Sequence, residues 1–71
     1  MKRRALLNII SHAAMRSGLQ WVLWREGRNH SIFTLGGVRV PIPRHREIPD
    51  VLARKIMKDL EPDLGQRWWE K

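Results

Sequence analysis

The sequence predicts an α+β domain of order α-β-β-β-α, with a three-stranded antiparallel sheet and two helices on one of its faces. Three observations carry that expectation. Gly36-Gly37 lies between two β-prone runs and marks a two-residue hairpin loop, because both turn positions accept positive φ without a Cβ clash. Apolar residues recur at helical spacing before and after the hairpin. Pro41 and Pro43 each lack a ladder donor, which confines the last strand to an edge. Two amphipathic helices cover only one face of such a sheet and leave the other open.

Residues 3–17 read as the first helix: Leu6, Ile10, Ala13 and Ser17 form a stripe that Leu7 and Ala14 widen. Gly18 suits the position after the helix end, and Arg16 complements the negative terminus. His12 falls on the exposed flank. Residues 19–25 read as a strand in which Trp21 and Leu23 alternate with Val22 and Trp24. Both faces are apolar, so periodicity leaves the inward side open. At least one tryptophan belongs to the core, and the other is available to stack on a base.

Residues 26–29 connect into the hairpin. Its loop sets the register, with Leu35 opposite Val38, Phe33 opposite Val40 and Ser31 opposite Ile42. Phe33, Leu35, Val38, Val40 and Ile42 then share the core face, while His30, Ile32, Thr34, Arg39 and Pro41 occupy the other. Pro49 fits the first position of the second helix, with Glu47 and Asp50 near its positive end. Leu52, Ile56 and Leu60 with Ala53 form its apolar stripe, and Pro62 stops it. The domain is accordingly assigned to residues 1–62. Residues 63–71 form a C-terminal tail whose Trp68-Trp69 either anchors a partner or packs back onto the domain.

With 71 residues and no cysteine, the chain makes one small domain without disulfides or a Cys-based zinc site, as expected of a reducing cytoplasm. No apolar run approaches the ~20 residues of a membrane span. Asn8, Ser11 and His12 interrupt the stretch a signal peptide would need. Residues 1–46 carry nine basic residues and one acidic residue, whereas residues 47–71 carry five basic and six acidic. A basic segment beside a balanced remainder points to a polyanion, nucleic acid before membrane.

No metal constellation is legible, since the three histidines include no helical His-x-x-x-His pair; no metal or other cofactor is expected. Gly36-Gly37 is a turn and not a phosphate loop, and no serine has a recognisable base–acid pair. His30 is the residue best suited to chemistry: an imidazole titrates near neutrality and can exchange a proton with a ribose 2′-hydroxyl or a leaving oxygen. Arg28, Arg39 and Arg44 lie in or beside the hairpin, where they would hold phosphates. His45 lies two residues beyond Pro43, the partner of His30. A continued strand would bring the two imidazoles within ~7–8 Å of each other.

The run Arg25-Glu26-Gly27-x-x-His30-Ser31-x-Phe33, then Val40-Pro41-x-Pro43-x-His45-x-Glu47-Ile48-Pro49, then Ala53-Arg54-x-Ile56, resembles the HicA family. Its members are the small toxins of HicA–HicB toxin–antitoxin pairs. The resemblance covers residues 1–60 and implies a fold similar to the double-stranded-RNA-binding domain. It also implies a metal-independent endoribonuclease that cleaves messenger RNA, monomeric alone and hetero-oligomeric with a HicB-like antitoxin. The family's single catalytic histidine matches His30, which leaves His45 as a positioning, structural or RNA-binding residue. Two features depart from the family pattern: Ser31 stands where many members have a second histidine, and the tail from Glu61 runs beyond it. The alternative function is a non-catalytic double-stranded-RNA-binding or protein-interaction module. Ile48-Pro49-Asp50 offers no basic cluster where duplex binders grip phosphates.

Overall fold

Leu6, Ile10, Ala13 and Ala14 line one side of the first helix, α1 (Arg3–Arg16), and all four are buried. In the computed structural model, which describes residues 1–70, they face a three-stranded antiparallel sheet of order β1-β2-β3; Lys71 lies outside the described residues. Ser17, expected at the end of the stripe, is exposed at the helix C-cap. There Gly18 adopts φ 71°. Its N–H donates to the Met15 carbonyl (3.2 Å) and the Leu19 N–H to the Ala14 carbonyl (2.9 Å), a Schellman arrangement that satisfies two orphan carbonyls.

The strands are β1 (Trp21–Glu26), β2 (His30–Leu35) and β3 (Val38–Pro43). The hairpin has the expected register throughout, from Leu35 opposite Val38 to His30 opposite Pro43. Gly36 and Gly37 both take positive φ, 56° and 89°. Leu35, Val40 and Ile42 are buried, Phe33 is half-buried, and Val38 at the strand end is half exposed. The first strand starts two residues later than expected. It pairs Trp21 with Leu35 and Leu23 with Phe33, then loses register between Leu23 and Arg25. Trp24 is the extra residue of this bulge. The shift turns Arg25 to the open face opposite Ile32 and brings Glu26 to the core face opposite Ser31. Trp21 is therefore the inward tryptophan and stacks on Phe33, with ring centroids 4.5 Å apart.

Helix α2 (Asp50–Asp59) completes the cover of the same face through Ala53, Ile56 and the adjoining Leu60, all buried. Pro49 is its N-cap, one position before the expected one; its carbonyl accepts the Ala53 N–H at 2.9 Å. The helix ends before Pro62, which opens a further short helix, α3 (Glu61–Leu64), because proline is tolerated in a first turn. A 3₁₀ turn (Trp68–Glu70) then packs back against α1. Trp68 is buried in the core, and its indole N–H donates to the Met57 carbonyl at 2.8 Å. Trp69 meets it edge to face. Within the stretch assigned to a tail, Trp68 thus helps to close the domain.

Candidate functional site

His30 opens β2, and three backbone-directed hydrogen bonds fix the turn before it. The Gly27 N–H donates to the His30 carbonyl (2.7 Å), the Arg44 N–H to the Asn29 carbonyl (3.1 Å) and Arg44 Nη1 to the Gly27 carbonyl (3.0 Å). The His30 side chain is exposed. It lines a groove of about 310 Å³ between the outer edge of β3 and α2, together with Arg39, Pro41, Pro43, Leu52 and Lys55. His30 therefore sits at one wall of a groove and not on a flat open face. The far wall includes Asp59, which pairs with Lys55 at 3.2 Å, and Asp63.

Behind His30, Ser31 is fully buried on the core face. Its hydroxyl accepts from Arg3 Nη2 (2.7 Å) and donates to Glu26 Oε1 (2.7 Å), while Arg3 Nε donates to the Pro43 carbonyl (2.9 Å). A buried hydroxyl with both partners satisfied is stabilising where an unsatisfied one is costly. Ser31 thus holds α1, β1 and β2 together directly beneath the histidine. Glu26 also lies 3.5 Å from Arg44 Nε, so Arg44 is tied to Glu26 and to the Gly27 carbonyl.

The five residues singled out from the sequence are all exposed, but they do not converge. His30 and Arg39 share the groove. Arg44 faces a different concavity, lined by Lys2, Arg3, Arg4, Leu7 and Arg46. Arg28 in the β1–β2 turn and His45 after β3 line neither. The ladder ends at Pro43, so the extended geometry that would align His45 with His30 does not continue.

Sequence reasoning missed two contributions. Lys55, on the second helix and not among the residues singled out from the sequence, enters the groove with His30. The concavity around Arg44 depends on the N-terminus returning to the β3–α2 connection, where Lys2 forms a bridge with Glu47 and the Arg3 N–H donates to the Arg46 carbonyl at 2.9 Å. Only the Lys2-Arg3-Arg4 and Arg44-x-Arg46 runs hinted at it.

On the open face, Trp24 is half exposed. The Arg39 guanidinium lies 4.3 Å from its ring centroid and that of Arg25 5.2 Å, both within cation–π range. The Met1 ammonium donates to Asp50 at 2.9 Å; this hydrogen bond raises the ammonium above its usual range and holds the Asp50 carboxyl below the usual carboxylate range. Among the described residues no group of three or more His, Cys, Asp or Glu is placed to hold a metal ion, and no helix is long and apolar enough to cross a membrane. Comparison of the chain with protein-family models, curated proteins and solved structures finds no match.

Proposed function

We propose that the chain is a cytoplasmic, metal-independent endoribonuclease that cleaves messenger RNA, the toxin of a HicA-like pair. The observation that supports this most is the exposed His30 imidazole on the wall of a groove that also holds Arg39 and Lys55. The motif pattern around Gly27, His30, Pro41 and Pro43 adds to it. In this reading neutral His30 takes the proton of a ribose 2′-hydroxyl as that oxygen attacks phosphorus. The bond to the 5′ oxygen breaks, and the imidazolium returns the proton to the departing oxygen. The products are a 2′,3′-cyclic phosphate and a free 5′-hydroxyl. Arg39 and Lys55 neutralise the charge on the phosphoryl oxygens. Arg28 and His45 contact the strand outside the groove. No metal or other cofactor has a part in this chemistry.

A purified-chain assay on unstructured RNA tests the reading. His30→Ala should lower cleavage by ~10²-fold or more, the usual contribution of a general acid/base, and His45→Ala by ~10-fold or less. Robust cleavage by a folded His30→Ala variant would sink the assignment, and equal losses would favour a two-histidine mechanism.

The same groove is the surface a HicB-like antitoxin covers in this proposal. Val38 (50% exposed) and Leu52 (36% exposed) give it an apolar wall beside the unpaired edge of β3. That wall, with Asp59 and Asp63, favours a second reading: a protein-interaction module without catalysis. Such a module would bind its partner yet leave RNA intact in the same assay.

A further inference from the structure

The Arg44 concavity is a site the proposed chemistry does not use. It measures about 690 Å³, and five of its six lining side chains are cationic: Lys2, Arg3, Arg4, Arg44 and Arg46. Two carboxylates touch this cluster, Glu26 at Arg44 and Glu47 at Lys2, so three positive charges stay uncompensated. The cluster is ordered as well as charged. Arg3 is fixed by the Pro43 carbonyl and the Ser31 hydroxyl, and Arg44 by the Gly27 carbonyl and Glu26. Lys2, Arg4 and Arg46 surround these two guanidiniums with exposed side chains. Fixed guanidiniums ringed by exposed cations match phosphate oxygens, which accept bidentate donors. Five cations exceed what a single phosphate needs, so the arrangement suits a ligand carrying phosphates in series.

The position agrees with this chemistry. Pro43 lines the His30 groove and Arg44, the next residue, lines the concavity, so the two sites adjoin at one peptide bond. We infer that the concavity binds backbone phosphates of an RNA strand next to the segment held at His30. This rests on RNA being the ligand of the chain and is independent of whether His30 cleaves it.

The test measures binding in a His30→Ala background, where cleavage cannot interfere. The anisotropy of a labelled single-stranded RNA of about 12 nucleotides is followed over a range of salt, with and without Arg4→Gln and Arg46→Gln together. Neither side chain has a hydrogen bond or ion pair among the described residues, so the fold should persist. The pair should weaken binding about 10-fold or more at low salt and flatten the salt slope by about 1.4, the value for two single-strand phosphate contacts. Arg4→Lys with Arg46→Lys should keep most of the affinity. Unchanged affinity and slope in the Gln pair would overturn the inference. So would a wild-type chain that binds phosphatidylserine vesicles through these residues and RNA without them. Absence of cleavage by the wild type would remove the nuclease reading alone, since the binding measurement still decides the site.

Discussion

A methyl group at Gly27 would lie 2.8 Å from the carbonyl oxygen of His30, closer than real Cβ atoms approach a backbone oxygen. The glycine is required there by contact, since its N–H closes the turn onto the same carbonyl. Gly27→Ala must therefore move the first residue of β2, and with it the imidazole. On the nuclease reading, a misplacement of that kind should cost about 10²-fold in cleavage. Melting temperature should fall by only a few degrees. Paired activity and melting measurements check this; full activity in the alanine variant would show that His30 tolerates displacement. The requirement was only half legible in the sequence. Gly27 stood out as part of a motif, whereas its contact with His30 emerges only when Arg44 clamps the turn from the end of β3.

At the scale of elements, the hairpin was legible because a two-residue loop leaves a single register, which fixes the face of every side chain in β2 and β3. Ile42 and Ile32 put that to a clean test with one residue type. Ile42 is fully buried under the helices and Ile32 lies half-buried on the open face. Ile42→Ala should cost about 2–5 kcal/mol and Ile32→Ala clearly less. Urea melts with the opposite order would reverse the faces. The bulge at Trp24 was not legible, because Val22, Leu23 and Trp24 are all apolar and carry no alternation to betray an extra residue. The junction of the N-terminus with α2 was hidden for a different reason: it joins residues 49 positions apart. Its pH dependence has a definite sign. Asp50 has a depressed folded pKa, so its contribution is present above the usual carboxylate range and is lost as pH falls through the lowered value. The Met1 ammonium is raised, so its contribution is complete below the usual amine range and is lost as pH climbs through the raised value. Asp50→Asn should remove the acid flank and shrink the alkaline one, since Glu47, 3.4 Å from the Met1 ammonium, still raises it. Identical melting-temperature profiles for the variant and the wild type would show that the contact does not stabilise the fold.

For the whole molecule, the limiting quantity is buried apolar area, which is scarce in 71 residues. The core draws on α1, the sheet, α2 and, last in the chain, Trp68, only 4% exposed. A tryptophan pair at a chain end looks the same in sequence whether it meets a partner or its own domain. The fold decides for Trp68, because the break at Leu60 and the short α3 turn the chain back until the indole N–H reaches the Met57 carbonyl. A buried Trp68 is unavailable as an anchor for an antitoxin, which leaves the His30 groove and its edge strand to make that contact in the proposed complex. Removing residues 66–71 should therefore damage the domain itself. Truncating a buried tryptophan costs about 3–5 kcal/mol, a large part of the stability of so small a fold. At roughly 4–8 °C per kcal/mol, the melting temperature should drop by more than about 10 °C. Trp68→Phe, which keeps most of the ring and loses the hydrogen bond, should fall between the truncated and full-length chains. Unchanged melting on truncation, measured by circular dichroism at matched concentration, would mean that the core closes without the 3₁₀ turn and that the domain ends near Leu64.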